Sequence, residues 1–334
     1  MDNAPLYNTF VGIDIAKDKF DIAIRMPKGQ FKHKIFANNE QGFNATYQWL
    51  TKHNGKSLIT MEATNVYYED LADFLYSKDL PIAVINPKTM PNFAKCLNLR
   101  NKTDKSDARM LAEYARIQAD DIRLYQPKPE NQRALLRQVR HLKRLNNMII
   151  KTKLHLQTEK DEVCIELSQN IIAHIEKQIK LLENSIKSII KNDEAMKCNA
   201  KLLQTIPAVG EKTVWVLLSH LGDCSQFKNA KEVVSFFGLT PVVRQSGSSL
   251  HTTVGISKAG HSNVRAALYA PAMNFACGRF KNREYAPFVN RLFAKGKPPK
   301  VVIVALMRKI LTIAFAVLKN QTQFDATKLN LRVA

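Results

Sequence analysis

Short apolar runs separated by turn residues make up the first 120 residues of the chain. Three strands are predicted over residues 9–15, 20–26 and 29–36, where apolar residues follow one another or alternate with polar ones. A helix over residues 39–52 comes next, and strands ending at Glu62 and Asn86 then alternate with helices. A longer helix is expected over residues 105–117. This alternation predicts an α/β domain over residues 1–125.

The pattern changes between residues 126 and 199, where charged residues alternate with Leu and Ile and no glycine occurs. Apolar residues recur there at spacings of three and four, at Ile172, Ile175, Ile179, Leu182, Ile186 and Ile189. Such spacing is the heptad pattern of a helix with an apolar seam. Two long helices are therefore predicted. They pair either as an antiparallel hairpin within one chain or as a coiled coil between two chains, because the spacing is the same in both.

A third segment, residues 200–325, is predicted to be mainly α-helical. Its start, residues 203–213, resembles a helix-hairpin-helix, in which backbone N–H groups at the turn face a phosphate. Ala208 stands where that motif usually has its first glycine, and a plain helix–turn–helix corner is the alternative. A polar loop rich in serine and glycine is expected at residues 244–250.

Charge is distributed unevenly along the 334 residues, whose net charge is +21. Residues 1–120 hold 16 Lys or Arg and 14 Asp or Glu, and the remainder holds 34 and 15, so the two parts carry +2 and +19. A basic surface of this size favours a polyanion such as nucleic acid as the partner. The plainer alternative is a solvated basic surface with no specific partner.

Membrane insertion and a disulfide framework are not expected. The chain has no run of about 18 uncharged apolar residues, and its N-terminus lacks the layout of a signal peptide. The five cysteines are far apart and odd in number. Their spacing does not fit a zinc ribbon, and their number favours reduced thiols in a cytoplasm.

Four carboxylates stand out in the first segment. Asp14 lies within the apolar run of one predicted strand and Glu62 at the end of another, where a buried charge needs a partner. Asp104 and Asp107 are three residues apart, a spacing that places two side chains on one face of a helix. The set predicts a Mg²⁺ site for phosphoryl chemistry, with Mn²⁺ as a substitute. Nearby acids are expected to be solvated, namely Asp18, Asp21, Glu69 and Asp70.

The order of elements adds to this interpretation. Three antiparallel strands followed by alternating helices and strands is the order of an RNase H-like fold. Metal-binding acids of that fold lie on its first strand, its fourth strand and a late helix. The expected fold class is thus an α/β RNase H-like domain, a long helical segment and a mainly α-helical C-terminal domain.

The serine-rich loop gives a weaker signal. Three serines lie beside an arginine, with further basic residues following: Arg244, Ser246, Ser248, Ser249, Lys258 and His261. A hydroxyl needs a base or a metal to become a nucleophile, and no spacing typical of a Ser–His–Asp triad is apparent. From the residues alone a flexible loop is the plainer interpretation. Basic residues between Arg265 and Lys309 are interleaved with aromatics and predict a surface that faces nucleic acid.

Several of these motifs occur together in one known family. They are Val-Gly-Ile-Asp-Ile-Ala-Lys at 11–17, Met-Glu-Ala-Thr at 61–64, Lys-Thr-Asp-Lys-Ser-Asp-Ala at 102–108, Gly-Leu-Thr-Pro at 238–241 and Gln-Ser-Gly-Ser-Ser at 245–249. Over about residues 8 to 320 the chain resembles the DEDD transposases of the insertion sequence 110/1111 family, relatives of the Piv DNA invertases. The last motif and residues 296–301 favour the 1111 branch.

The resemblance implies a RuvC-like catalytic domain, a helical segment at 126–199 that helps assembly, and a serine-bearing transposase domain. It implies that the four acids Asp14, Glu62, Asp104 and Asp107 bind Mg²⁺. Ser246 would attack a DNA phosphate to form a covalent phosphoserine intermediate, with Ser248 as the rival nucleophile. Contacts to nucleic acid are expected from five basic residues: Lys102, Lys105, Lys212, Arg244 and Lys258.

The implied partners are donor and target DNA, a guide RNA (bridge or seek RNA) encoded by the mobile element, and further copies of the chain in a dimer or tetramer. The implied location is the bacterial cytoplasm, on the nucleoid when active. Two other functions stay open. One is a RuvC-like, structure-selective endonuclease that resolves junctions with metal-activated water, and the other is a non-catalytic scaffold that binds nucleic acid.

Overall fold

The structure is a computed structural model that describes residues 6–53, 55–97, 103–246 and 250–330. It contains two compact units, Met1–Pro127 and Lys128–Ala334. The first holds the predicted α/β domain. In the second, one hydrophobic core combines Leu135 and Ile186 of the predicted helical segment with Leu306 of the predicted C-terminal domain. The division of the chain into three domains stays a prediction.

A five-stranded mixed sheet forms the centre of the first unit, in the order β3-β2-β1-β4-β5. Its strands are β1 (Thr9–Ile15), β2 (Lys19–Arg25), β3 (Phe31–Ala37), β4 (Ser57–Glu62) and β5 (Ile82–Ile85). β1 pairs antiparallel with β2 and parallel with β4. The predicted order of strands and helices along this part of the chain is confirmed, and the mixed sheet is consistent with an RNase H-like domain.

Four helices accompany the sheet: α1 (Glu40–Thr51), α2 (Glu69–Tyr76), α3 (Met90–Cys96) and α4 (Asp104–Ile117). α4 crosses β1 at Gly12 so closely that a Cβ atom there would collide with the backbone of Ala108 and Ala112. The buried hydroxyl of Thr60 on β4 donates a hydrogen bond to the carbonyl of Leu111, 2.8 Å away. The glycine at position 12 and the buried hydroxyl of Thr60 therefore fix the position of α4 on the sheet.

Two long helices begin the second unit, α5 (Glu130–Leu156) and α6 (Glu162–Asn192). The amide of Gln138 donates a hydrogen bond to the hydroxyl of Ser185, 3.0 Å away. Nearer the turn, Nζ of Lys153 lies 3.4 Å from a carboxylate oxygen of Glu176. Since early residues of α5 meet late residues of α6, the pair is antiparallel. Of the two predicted arrangements, the structure shows the hairpin within one chain.

Six further helices complete the second unit: α7 (Glu194–Gln204), α8 (Glu211–Leu221), α9 (Ala230–Phe236), α10 (Ser262–Ala276), α11 (Ala286–Ala294) and α12 (Pro299–Asn320), followed by a 3₁₀ turn at Ala326–Asn330. Within the described ranges, α12 is the one helix long and apolar enough to cross a membrane by length and composition. Its residues Leu306, Ile310 and Leu311 are fully buried among those of the other helices. The apolar character of α12 is therefore used in the core of this unit.

A two-stranded antiparallel ribbon, β6 (Pro241–Ser246) and β7 (Leu250–Ile256), lies between α9 and α10. The prediction of a polar loop at 244–250 is thus wrong for residues 244–246 and 250, which lie in strands. Residues 247–249 lie outside the described ranges. Five β-branched residues on both sides of the turn favour strands over a loop: Val242, Val243, Thr252, Thr253 and Val254. The serine- and glycine-rich composition hid this pattern.

Candidate active site

Asp14 and Glu62 occupy matching positions on two neighbouring strands. In the parallel register of β1 with β4, Ile13 pairs with Met61, so Asp14 and Glu62 are the next residues along the same pairing. Parallel strands end at the same edge of a sheet, and the two acids therefore lie together at the C-terminal edge of β1 and β4. Both residues are partly buried.

Asp104 and Asp107 lie in the first turn of α4. Thr103 caps this helix, because its hydroxyl accepts a hydrogen bond from the N–H of Ser106 while the Ser106 hydroxyl accepts one from the N–H of Thr103. Acids in a first turn also interact favourably with the helix dipole. The cap therefore determines where α4 begins and places both acids at its N-terminal end.

The electrostatics of Asp14 show that these acids are close to one another. Burial is the largest cause that raises the pKa of Asp14, from 3.8 to about 6. Four neighbouring carboxylates raise it as well, in the order Asp107, Asp104, Glu62 and Asp21. A carboxyl group held in the field of other carboxylates is stabilised by a cation that binds among them.

Lys19, at the start of β2, supplies a positive charge at this edge. Its Nζ lies 3.0 Å from Oδ2 of Asp104 and 3.7 Å from Oδ2 of Asp21. The hydrogen bond from Lys19 to Asp104, together with the two negative charges, raises the pKa of the lysine. The side chains of Lys19 and Asp104 are 49% and 61% exposed, so water screens this ion pair and a doubly charged ion can compete with the ammonium group.

Asp21 is buried, and the expectation that it is a solvated acid is wrong. It is 3% exposed, lies directly opposite Asp14 in the β1–β2 pairing, and its Oδ1 is 2.7 Å from Nε2 of His33. Sequence reasoning missed Lys19, Asp21 and His33 because their role depends on which residues face each other across strands. A tight turn near residue 17 would have predicted the pairing of residues 14 and 21. Asp18 and Asp70 are exposed, as predicted.

The four acids fit a divalent cation by their chemistry. Carboxylate oxygens are the preferred protein ligands of Mg²⁺ and suit Mn²⁺ equally. Within the described ranges, however, no group of three or more His, Cys, Asp or Glu side chains is already arranged to hold an ion. The described side chains therefore do not form a preformed metal cage. A metal is supported by the chemical type of the ligands and by the raised pKa of Asp14.

The serine-bearing segment lies on the ribbon of the second unit. Ser246 is the last residue of β6, where its backbone pairs with Leu250, and Arg244 pairs with Thr252. Ser248 and Ser249 fall outside the described ranges, as does Lys102. Ser246 therefore lies at the end of the ribbon, in the last residue pair between β6 and β7.

The remaining predicted nucleic-acid contacts belong to both units, Lys105 to the first and Lys212 and Lys258 to the second. Lys105 is exposed in the first turn of α4. Lys212, near the start of α8, forms an ion pair with Glu183, with Nζ 2.8 Å from Oε1. Lys258 is exposed just after β7 in a left-handed conformation (φ +53°), and its backbone N–H donates a hydrogen bond to the carbonyl of Gly238.

The turn between α7 and α8 has the backbone of a tight hairpin. Ala208 adopts a left-handed conformation there (φ +74°), which explains why related hairpins place a glycine at this position. Gly210 caps α8, and a Cβ atom on it would meet nothing within 4 Å. A cavity of about 410 Å³ borders this turn and is also lined by Phe280 and Arg283. The geometry agrees with a helix-hairpin-helix-like start of this segment.

Comparison with protein families gives matches to both halves of the chain. Residues 11–164 match a family described as "Transposase", the DEDD transposases of IS110, and residues 200–288 match the family described as "Transposase IS116/IS110/IS902 family". The four acids fall within the first match and Ser246 within the second. The two candidate parts of the active site therefore lie in segments that these families share.

Similar proteins extend over nearly the whole chain. The pilin gene-inverting proteins of Moraxella bovis and Moraxella lacunata are each 37% identical over 323 residues, which cover 95% of this chain and 98% of theirs. The transposase for insertion sequence element IS1111A of Coxiella burnetii is 24% identical over 293 residues, covering 77% of this chain and 75% of its own. The pilin gene-inverting proteins are thus similar to this chain over nearly its whole length.

Proposed function

This chain belongs to the IS110/IS116/IS902 family of transposases, and we propose that it cleaves and rejoins DNA strands under the guidance of an RNA, using a serine nucleophile and Mg²⁺. Family membership makes the protein a DNA transposase/recombinase and suggests a divalent metal. The observation that carries the proposed strand chemistry is the grouping of Glu62, Asp104 and Asp107 around Asp14.

The four acids are proposed to hold the metal: Asp14, Glu62, Asp104 and Asp107. When bound, Mg²⁺ or Mn²⁺ would stabilise negative charge on the phosphate oxygens of the DNA backbone. The part proposed for this chain is positional. The register of β1 with β4 puts Asp14 and Glu62 at one edge of the sheet, and the cap of α4 puts Asp104 and Asp107 in the first turn of that helix. Lys19 balances the charge of Asp104 in the meantime.

Ser246 is the proposed nucleophile, with Ser248 as the rival. Its hydroxyl oxygen forms a bond to phosphorus and gives up its proton to water, while the bond from phosphorus to the leaving sugar oxygen breaks. The leaving oxygen keeps the electron pair of that bond and takes up a proton from water, which yields a free sugar hydroxyl. The strand is then held by the serine as a phosphodiester. A hydroxyl of a second strand reverses the same steps and rejoins the DNA. Support comes from the position of Ser246 at the end of β6, within the segment that matches the transposase family.

Donor and target DNA and a guide RNA are the proposed partners, with further copies of the chain in a dimer or tetramer. The net charge of +19 on residues 121–334 supports binding of so much nucleic acid. Pairing between guide and DNA would read the sequence, while the basic groups, including Lys105, Arg244 and Lys258, would contact the backbone. The proposed location is the bacterial cytoplasm, on the nucleoid when active.

Trapping of a covalent intermediate tests the chemistry. Protein mixed with cognate DNA, guide RNA and Mg²⁺ is expected to form a protein–DNA adduct that survives denaturation. Ser246→Ala should abolish the adduct, and Asp14→Asn should abolish both adduct and strand cleavage. Asp18→Asn, which changes an exposed acid four residues away, is the matched control and should leave both intact.

The outcomes separate the remaining functions. An adduct that persists in Ser246→Ala moves the nucleophile to Ser248 or elsewhere, which a Ser248→Ala variant decides. Strand cleavage without any adduct indicates a junction-resolving nuclease that uses water. No cleavage with any metal indicates a scaffold, and recombination at an unchanged rate without the guide RNA contradicts RNA guidance.

A further inference from the structure

A buried histidine without hydrogen-bond partners lies in α8. The side chain of His220 is 1% exposed, and within the described part of the chain neither ring nitrogen has a hydrogen-bond partner. A neutral imidazole has one N–H donor and one acceptor, and leaving either of them buried and unmatched costs free energy. The proposed strand chemistry makes no use of His220. A ligand is therefore a reasonable candidate for the absent partner.

His220 faces the beginning of α10. Its ring centroid is 4.7 Å from that of His261, the N-cap residue of α10, whose side chain makes no capping hydrogen bond. The rings of Phe236 and Phe237 pack on His261 at 5.3 and 6.1 Å. His261 itself is only partly buried. Because the first N–H groups of a helix lack partners within the helix, they add positive partial charge beside this histidine pair.

Three basic side chains act electrostatically on the histidine pair: Lys128, Arg140 on α5 and Arg265 on α10. Burial, followed by these three positive charges, lowers the pKa of His261 from 6.5 to about 4. Burial is also the main cause that lowers the pKa of His220, and the charges of His261, Lys128 and Arg140 add to it. Every charged neighbour responsible for these shifts is basic. An anion that lies among these groups is attracted by all of them.

Arg265 links this cluster to the ribbon that bears Ser246. Its Nη1 donates hydrogen bonds to the carbonyls of Phe237 and Gly260, at 2.9 and 3.3 Å. Both carbonyls are bound through Nη1, which is one of the three nitrogens of the guanidinium group. The group has five N–H donors in all. Gly260 follows β7 by four residues. The cluster therefore lies near the base of the ribbon, in the same unit as the proposed nucleophile.

We propose that His220, His261 and the three basic side chains form a binding site for a phosphate group. A phosphate oxyanion accepts hydrogen bonds from imidazole and backbone N–H groups at a helix N-terminus and balances the surrounding positive charge. Nucleic acid is the carrier that the net charge of +21 favours, and free phosphate ion has the same chemistry. The inference goes beyond the proposed function and does not depend on it, because phosphate binding needs neither a metal nor Ser246.

Nuclear magnetic resonance of the full chain with ¹³C-labelled histidine rings tests this site. Inorganic phosphate, added at constant pH and ionic strength, is expected to shift the signals of His220 and His261 and to leave that of His174, exposed on α6, in place. Phosphate should also raise the pH at which His261 titrates, since an anion stabilises imidazolium. No movement at either histidine of the pair overturns the proposal, and this titration requires no variant.

A short single-stranded oligonucleotide then identifies the carrier. If it shifts the same two signals, the site binds nucleic acid. If inorganic phosphate shifts them and the oligonucleotide does not, nucleic acid is overturned as the carrier and the ligand is the free ion. Strand cleavage is not measured in either titration, so failure here and failure of the proposed chemistry remain distinguishable.

Removal of one charge separates a built site from general attraction. Arg140→Gln is expected to weaken phosphate binding about tenfold. Lys151→Gln removes one positive charge from an exposed position on the same helix and should weaken binding less than about twofold. Equal weakening in the two variants overturns the proposal, because binding would then follow net charge alone. Near-ultraviolet circular dichroism confirms that both variants are folded.

Discussion

The two units of this protein gather like charges of opposite sign. In the first unit, carboxylates meet at the ends of β1 and β4 and the start of α4, and the pKa of Asp14 rises to about 6. In the second, basic groups surround two histidines, and the pKa of His261 falls to about 4. Burial is the largest cause in both cases. One physical effect therefore produces an acid that resists ionisation and a base that resists protonation.

The difference indicates which charge a ligand of each region would carry. A cation is attracted to a cluster of acids and an anion to a cluster of bases, so the proposed metal ion and the proposed phosphate are complementary ligands of the two regions. Both are components of phosphodiester chemistry on DNA. The expected pH responses are also opposite, because Asp14 favours stability at low pH and His261 favours it at high pH.

The largest loss of stability is expected from a substitution that displaces the helix carrying two of the four acids. Gly12→Ala would push a methyl group into the backbone of α4 at Ala108 and Ala112, which displaces the helix that carries Asp104 and Asp107. We expect a loss of about 3 kcal/mol in the free energy of unfolding, measured with denaturant, and loss of strand cleavage. Gly210→Ala is the matched control, since a Cβ there meets nothing within 4 Å. Equal stability of the two variants would show that α4 does not lie this close to β1.

The next effect is the response of the basic cluster to acid. Because the pKa of His261 is lowered from 6.5 to about 4 in the folded protein, its contribution to stability is complete above pH 6.5 and is lost as the pH falls through about 4. Over this pH interval the free energy of unfolding is expected to fall by about 2 to 3 kcal/mol more in wild type than in His261→Gln. Denaturant unfolding at a series of pH values measures it. His174→Gln, on exposed α6 surface, should behave as wild type does, and identical profiles for all three proteins would contradict the assignment.

Continuous local patterns made much of this fold predictable. β1 was expected at residues 9–15 and is Thr9–Ile15, because a run of buried apolar residues allows one interpretation. The heptad seam predicted α6, although only the fold shows that its partner is α5 of the same chain. The acids Asp104 and Asp107 on one helical turn were likewise predicted from spacing, since that spacing is local.

Features made by contacts distant in sequence were not predictable in this way. Asp21 was expected to be solvated, yet pairing of β2 with β1 and β3 buries it beside His33. His220 gave no signal in the sequence, because its surroundings come from α5, α8 and α10, which join only in the folded chain. The strands of the ribbon were missed because serine and glycine near the turn obscured the β-branched residues beside them.

A smaller effect is expected from neutralising the acid cluster. Since the pKa of Asp14 is raised from 3.8 to about 6 in the folded protein, its stabilising contribution is complete below about pH 4 and is lost as the pH rises through 6. Without metal, the free energy of unfolding of Asp14→Asn should therefore exceed that of wild type by about 2 kcal/mol at pH 7, after allowance for the partial exposure of Asp14. Below pH 4 the two free energies should be equal.

Denaturant unfolding in the presence of a chelator measures this difference. Added Mg²⁺ is expected to stabilise wild type and not Asp14→Asn, which distinguishes relief by a cation from a general salt effect. Asp18→Asn, at an exposed position, serves as the control and should respond to Mg²⁺ as wild type does. Equal stabilisation of all three proteins by Mg²⁺ would contradict a metal site at Asp14.

The smallest expected change in stability tests backbone strain in the second unit, as distinct from the effect of its charges. Ala208 adopts a left-handed conformation (φ +74°) that costs alanine about 1 kcal/mol and glycine almost nothing. Part of this gain is offset by the greater freedom of glycine in the unfolded chain, so Ala208→Gly should raise the free energy of unfolding by about 0.5 kcal/mol at every pH. Ala266→Gly, at an exposed position inside α10, should instead lower it by about 1 kcal/mol. Destabilisation by both variants would show that the turn between α7 and α8 does not require a left-handed residue, whereas a pH-dependent gain at Ala208 would place the strain in the neighbouring charges.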